Sequence, residues 1–339
     1  MKAAVMRATG HPLAIEDVPV PEIGPEEVLV ETRTCGICGT ALHILEGRGY
    51  VPPLPHILGH EPAGVVAAIG QRVTRYKVGD RVVPHLFFTC GECFFCRDGR
   101  DEQCANLRGI LGVLVNGAFA EYFKAPESNL FFLPLNVSFE EGGLLADAVV
   151  TSVHAHRRSN LKGGETAVVL GCGGVGLTLI QVLKAAGVRV VGVDRSDESL
   201  SLSRELGAEL TLNSADPGRV RKVREFTGGL GARCVFNCVG TGGTMRDSVD
   251  YVMTCGRIVV IGEEADSPAV STTEIAQREL EIVGSRNGTR QDMAEAIRLL
   301  ASGRVKPPIA RRFSLAQINE ALALVRSGAL GRVVITVKD

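Results

Sequence analysis

TAVVLGCGGVGLTLI, residues 166–180, joins an apolar run to a glycine-rich turn and then to a second apolar stretch. The run TAVVL has the β-branched composition of a buried strand. The turn is Gly171-Cys172-Gly173-Gly174-Val175-Gly176, and a helix is predicted over 177–186. Strand, G-x-G-x-x-G and helix in this order form a dinucleotide-binding fingerprint in the context it requires. Gly171 permits the tight turn, Gly173 lets backbone N–H groups approach a pyrophosphate, and Gly176 lets the helix pack closely on the sheet. Gly174 and Val175 are further cofactor-binding candidates in the turn, and the N-terminus of the helix that follows adds partial positive charge. A second strand, RVVGVD, ends at Asp194, 18 residues beyond Gly176. A carboxylate there accepts from the adenosine ribose 2′-OH and repels a 2′-phosphate, which favours NAD over NADP. Arg195 follows directly, and a guanidinium holds a 2′-phosphate in a bidentate fork, so NADP stays open. The bland alternative is a tight strand-to-helix turn without a ligand. Cys172, inside the turn, reads as a small packed residue.

Outward from this turn, strand and helix alternate. A helix is predicted over 198–206, and the strand runs CVFNCVG and RIVVIG follow at 234–240 and 257–262. Strict alternation implies a parallel sheet with right-handed crossovers. The rhythm stops near Gly284, after which helices are predicted at 293–300 and 315–325 and a strand at 332–337. Ahead of the turn, the first 147 residues read as short strands broken by Gly and Pro, at Lys2–Met6, 27–34, 63–69 and Arg81–Pro84. A length of 339 residues exceeds what one hydrophobic core usually organises. The fold class is therefore α/β, with a β-rich domain over 1–148, a nucleotide domain over 149–284 and a C-terminal part over 285–339.

Hydrophobic residues make up 45% of the chain and charged residues 22%, an ordinary balance for a soluble enzyme and far from the disordered range. A net charge of −1 and the absence of a basic stripe give no reason to expect nucleic acid or an acidic membrane as partner. No run reaches the roughly 18 apolar residues of a membrane helix, since GGLLADAVVTSV is broken by Asp147. The start, MKAAVMRATGHPL, lacks the apolar core and cleavage site of a signal peptide, so a cytoplasmic location is expected. Ten cysteines then stand under reducing conditions, where metal ligation and burial account for them better than disulfides.

Four of the ten fall in fifteen residues, as Cys90-x₂-Cys93-x₂-Cys96-x₇-Cys104, in a lobe of about 88–106. Thiolates at these spacings can close a tetrahedral cage around Zn²⁺, and a filled coordination shell leaves no place for a substrate, which makes such a site structural. An iron–sulfur cluster and four unliganded thiols are the alternatives. A second set is dispersed: Cys38 in CGICGTALH, His60 and Glu61 in GHEPAGVVAAIG, and Asp147 in LADAVVTSVHA. Taken singly, each has an ordinary explanation in core packing, a satisfied hydrogen bond or an ion pair.

Taken together, Gly59-His60-Glu61-x-x-Gly64 with Gly70 and Val73, the four-cysteine lobe and the G-x-G-x-x-G turn make the chain similar to the zinc-containing medium-chain dehydrogenases, essentially from Met1 to Asp339. The resemblance implies a GroES-like catalytic domain, completed by residues 285–339, beside a Rossmann NAD-binding domain, with one catalytic and one structural zinc per subunit. It implies Cys38, His60 and Asp147 as catalytic zinc ligands, with Glu61 as a neighbouring acid able to approach the metal. Asp147 stands where liver-type members carry Cys and bacterial secondary-alcohol members carry Asp. Thr40 matches the hydroxyl that accepts the alcohol proton, and His43 the histidine that passes it on. Arg332 matches an arginine that meets the pyrophosphate, an exposed strand charge being the bland reading. Cys35, read as packing and as lying one helical turn before Cys38, is the nearest substitute ligand.

The implied reaction is hydride transfer between an alcohol and NAD⁺ at a zinc ion that polarises the substrate oxygen, in a cleft between the two domains. Leu86, Phe87, Leu111 and Leu114 are candidates to line the alcohol pocket, with core packing as the alternative. The pattern breaks at position 41, where Ala replaces the family's usual Asp, a partner that orients the ligating histidine. Another group holds His60, or the metal is tuned differently, or the reaction is conjugate reduction of an activated C=C bond by NADH. A zinc-stabilised nucleotide-binding regulatory protein is the non-enzymatic alternative, against which Thr40 and His43 argue. The resemblance further implies a homodimer or homotetramer paired through an edge strand of the nucleotide domain.

Overall fold

The computed structural model describes residues 1–264, 266 and 268–338. They form two compact units: Met1–Asp147 with Thr289–Ala301 and Ile309–Asp339, and Ala148–Gly288 with Ser302–Pro308.

Among the described residues, the first unit holds a seven-stranded mixed sheet and a three-stranded one. The large sheet is organised by the strand Glu27–Ile37, whose side chains alternate between half-buried and buried before turning fully inward at its end. On one side it pairs antiparallel with Glu61–Ile69, and on the other with the C-terminal strand Arg332–Thr336. Both long strands outrun their predicted limits of 34 and 63, because the partners that extend them are remote in sequence. Residues 34–37 pair with Val333–Thr336, and Glu61 and Pro62 pair with Gly36 and Cys35. Phe119 and Phe123, the latter on a strand of this sheet, are almost fully buried in the core of the unit; each such side chain contributes about 2 kcal/mol. Arg290–Ala301 starts three residues ahead of its predicted 293. There Asp292 Oδ2 accepts from the Thr289 N–H, while Thr289 Oγ1 accepts from the Asp292 N–H, which caps the first turn. The helix predicted over 315–325 is a 3₁₀ turn, Leu315–Gln317, followed by the α-helix Ile318–Ser327.

The second unit is built, among the described residues, on six parallel strands in the order Leu210–Asn213, Arg189–Asp194, Thr166–Leu170, Ala232–Asn237, Val252–Val260, Glu281–Gly284. Numbered along the chain this is 3-2-1-4-5-6, the doubly wound order of dinucleotide-binding folds. The order reverses between Thr166–Leu170 and Ala232–Asn237, so the glycine turn that follows Leu170 opens at the switch point. Val168, Val191, Val235 and Ile258 fill the core beneath it. The boundaries differ from the sequence reading, which ended the second unit at 284 and gave everything after it to the first: the second unit runs Ala148–Gly288 and takes a further segment. Ser302–Pro308 belongs to the second, because the Gln181 carboxamide brackets Lys306, accepting from its N–H at 2.8 Å and donating to its C=O at 3.0 Å. No helix among the described residues is long and apolar enough to cross a membrane.

Candidate functional site

Three strand ends bring the dispersed donors together. Cys38 follows the strand Glu27–Ile37 and caps the helix Gly39–Leu45, while His60 and Glu61 stand at the start of Glu61–Ile69. Antiparallel pairing sets Gly36 opposite Glu61 and Ile37 opposite Val333, so the end of one strand and the beginnings of its two neighbours share one edge of the sheet. Asp147 reaches the same edge just after the 3₁₀ turn Leu144–Ala146. One ligand atom from each of Cys38, His60, Glu61 and Asp147 lies within 4.8 Å of the others.

Glu61 is fully buried, and neither carboxylate oxygen accepts a hydrogen bond from the described residues. Arg332 provides the counter-charge: its Nη2 lies 3.0 Å from Glu61 Oε1 and donates to Asp147 Oδ2 at 2.6 Å. Burial pushes the Glu61 carboxyl well above the usual carboxylate range, against the pull of Arg332. Burial also opposes ionisation of Asp147, but Arg332 and His60 together hold that carboxyl well below its ordinary value. Burial raises the Cys38 thiol, and Asp147 raises it further. Without a cation, burial therefore favours the neutral carboxyl of Glu61 and the neutral thiol of Cys38; ionised beside Asp147, they would set three anions against one guanidinium. Desolvating each ion costs several kcal/mol unless it is compensated, and a divalent cation would supply that compensation. Thiolate, imidazole and carboxylate together are donors that suit Zn²⁺.

Arg332 is only 7% exposed, which rules out the exposed strand charge; its guanidinium is turned onto Glu61 and Asp147. Cys35 lies in the extended strand and not in a helical turn, is fully buried against the Gly36 carbonyl, and stands outside the donor cluster. Thr40 Oγ1 is 3.7 Å from Cys38 Sγ, and His43 follows one turn later on the same helix. Ala41 is buried on that helix and brings no carboxylate. Leu86, Phe87 and Leu111 are buried in the core of the first unit, with Leu114 packed against it.

Gly36 is a site residue that the sequence reading passed over. A Cβ there would lie 2.0 Å from Glu61 Oε2 and 2.6 Å from Leu144 Cδ2, so the Glu61 carboxylate occupies the space that glycine leaves. A glycine inside a strand is the signal for such a position, but the predicted strand stopped at 34, short of it. Gly36→Ala must displace Glu61 and should weaken metal binding by about tenfold or more. Competition with a zinc chelator measures this, and unaltered affinity would show that Glu61 takes no part.

The four-cysteine lobe is closed locally. Cys93 caps the short helix Phe94–Arg97, and Cys104 follows the 3₁₀ turn Asp101–Gln103. Sulfur–sulfur separations are 3.5 Å for Cys93–Cys96, 3.6 Å for Cys90–Cys104, 3.9 Å for Cys93–Cys104 and 4.0 Å for Cys90–Cys96. A tetrahedral zinc with Zn–S bonds of ~2.3 Å spaces its sulfurs ~3.8 Å apart, which these thiols match. The backbone N–H groups of Cys96 and Ala105 lower the Cys93 thiol to about 6, preparing a thiolate.

In the second unit the helix Gly174–Ala185 starts three residues before its predicted 177, with Gly173 as its N-cap. A Cβ on Gly176 would stand 2.0 Å from the Gly171 carbonyl oxygen, so the turn closes only around glycine. Asp194 ends its strand and braces this turn, its Oδ2 accepting from the Cys172 N–H at 2.7 Å and its Oδ1 from the Ser196 N–H at 2.9 Å. Arg195 is exposed. Cys172 is fully buried, which pushes its thiol up to about 12 and leaves it a packed residue.

A glycine turn at the switch point of a doubly wound sheet, with two clusters of metal-type donors in a β-rich unit, defines a metal-dependent dehydrogenase fold. Comparison with known proteins agrees. Residues 24–135 match the alcohol dehydrogenase GroES-like domain, and residues 174–302 match the zinc-binding dehydrogenase domain. An alcohol dehydrogenase of Geobacillus stearothermophilus is 35% identical over 340 residues, covering 99% of this chain and 100% of the relative. The NAD-dependent alcohol dehydrogenase of Sulfolobus acidocaldarius is 32% identical, with 99% and 100% covered. A crystal structure of an NAD-dependent alcohol dehydrogenase superposes with a TM-score of 0.94 at 31% identity, over 100% of both chains. The chain belongs to the zinc-containing medium-chain alcohol dehydrogenase family and is an oxidoreductase.

Proposed function

We propose that the chain catalyses reversible hydride transfer between an alcohol, whether primary, secondary or aryl, and NAD⁺, giving an aldehyde or ketone. The observation that carries the reading is the cluster Cys38, His60, Glu61 and Asp147, buried at His60 and Glu61, whose acidic groups outnumber the single guanidinium of Arg332. Cys38, His60 and Asp147 would hold a catalytic zinc, with Glu61 beside it, and Cys90, Cys93, Cys96 and Cys104 a structural one. Bound zinc supplies Lewis-acid polarisation of the substrate oxygen, and NAD⁺ supplies the hydride acceptor. The chain's own residues position and neutralise. Arg332 keeps Asp147 charged without water and offsets part of the cost of ionising Glu61. Thr40, one turn before His43, takes the hydroxyl proton at its Oγ1, and His43 passes it outward. Gly171 makes the turn, Gly173, Gly174, Val175 and Gly176 present backbone N–H groups to the pyrophosphate, and Asp194 receives the adenosine ribose.

A screen of NADH absorbance over alcohols, their carbonyls and α,β-unsaturated carbonyls tests the reaction. Turnover of alcohols supports the proposal, and turnover of enones alone replaces it with conjugate reduction, the reading that Ala41 keeps open. Thr40→Ala should lower kcat by about a hundredfold or more with little change in KM. Cys35→Ser should leave turnover near that of the unsubstituted enzyme, and equal damage at Cys35 would show the ligand assignment to be wrong.

A further inference from the structure

Three backbone turns meet at the C-terminal edge of the parallel sheet: the glycine turn at Gly171, the turn Val239–Gly240 and the chain at Gly262. They touch with almost no side chain between them. A Cβ on Gly171 would lie 2.6 Å from Val239 Cγ2, one on Gly240 would lie 2.3 Å from the Gly262 oxygen, and one on Gly262 would lie 2.3 Å from the Val239 carbonyl carbon. Such contacts leave no slack, so a shift of Val239 is transmitted to Gly171.

Asn237 sits where these turns are tied. It is the last residue of the strand Ala232–Asn237, opposite Leu170 in the parallel register, and its relative exposure is 0%. Its Oδ1 accepts from the Val239 N–H at 3.1 Å and the Gly240 N–H at 2.9 Å, and its main-chain oxygen accepts from the N–H groups of Ile261 at 2.9 Å and Gly262 at 3.0 Å. The Nδ2 amide has no hydrogen-bond partner among the described residues. The side chain therefore works through its oxygen alone, and being fully buried it is out of a ligand's reach.

We infer that Asn237 is a positioning residue for the nucleotide turn, fixing Val239 against Gly171 and so setting where the Gly171–Gly176 backbone meets the cofactor. The inference rests on the NAD reading of that turn. Asn237→Leu keeps the side chain's bulk and removes the acceptor, leaving two backbone N–H groups without their partner. Asn237→Asp keeps the Oδ1 acceptor and, at mildly acidic pH where burial favours the neutral carboxyl, brings no buried charge.

Titration with NADH, followed by its fluorescence, should show Asn237→Leu raising Kd about tenfold, the equivalent of ~1.4 kcal/mol. Asn237→Asp, titrated at mildly acidic pH with its carboxyl neutral, should stay within about twofold of the unsubstituted protein at the same pH, since the unpartnered Nδ2 contributes no bond. In turnover, KM for NAD should rise with Kd, while kcat at saturating NAD should change by no more than about twofold. Thermal unfolding without cofactor shows whether each variant is folded. Should Asn237→Leu not fold, Asn237→Ser, too short to reach both N–H groups, is titrated in its place. Unchanged Kd in the variant without the acceptor, or equal loss in Asn237→Asp, overturns the inference. Absence of NADH binding in the unsubstituted protein overturns instead the functional reading on which it stands.

Discussion

Cys38→Ser should leave a folded protein that holds one zinc ion per chain instead of two and has kcat/KM lowered by about a thousandfold, the equivalent of several kcal/mol of lost charge stabilisation. The physical reason lies in the donor set. Cys38 is the one thiol in the buried cluster, and it shares that space with Asp147 and Glu61 across from a single arginine. A serine hydroxyl is a poor substitute for a thiolate as a zinc ligand. Its loss removes a negative charge that a divalent cation would balance. The fold should survive, because the strand pairing at this edge is made by the backbone of residues 34–37 and not by the Cys38 side chain. Metal analysis with thermal unfolding separates the two effects. Two zinc ions retained with full activity would remove Cys38 from the ligand set.

Cys93→Ser is expected to act on the other metal and on stability. Cys93 lies 3.5 Å from Cys96 and 3.9 Å from Cys104, and backbone N–H groups already favour its thiolate. Without it the cage cannot close. Residues of this lobe have little apolar burial of their own: Phe94 is 69% exposed and the helix Phe94–Arg97 buries no residue, so the metal has to supply the cohesion. Loss of about 4 kcal/mol would lower the melting temperature by about 10 °C. Zinc content should fall from two to one, while NADH affinity, set by the second unit, should hold. Iron or visible absorbance in the unsubstituted protein would favour a cluster over zinc, and an unshifted melting temperature in Cys93→Ser would deny the metal its structural role.

The two outcomes differ because the two sites are encoded differently. The lobe and the glycine turn are each written within fifteen residues, so spacing alone carries their geometry. Gly171, Gly173 and Gly176 fall where the turn needs them, and Asp194 stands at a strand end beside them. The second cluster draws on positions 38, 60, 61, 147 and 332, and no local pattern ties these together. Arg332 shows the limit most clearly. An arginine before an apolar strand can face water or the core, and only pairing of Val333 with Ile37 turns it onto Glu61 and Asp147. Gly36 was out of reach because the predicted strand stopped at 34, and the group filling its space lies on a different strand.

By itself, then, the sequence determined the α/β class, the strand–turn–helix of the nucleotide fold and the four-thiol cage, because each depends on backbone preferences and contacts within a few residues. Tertiary structure alone decided which strand ends share an edge, how far the strands Glu27–Ile37 and Glu61–Ile69 extend, where Ser302–Pro308 packs, and which charges are buried together. Those outcomes depend on hydrogen-bond ladders and desolvation between residues far apart in the chain, whose partners exist only once the sheet has formed.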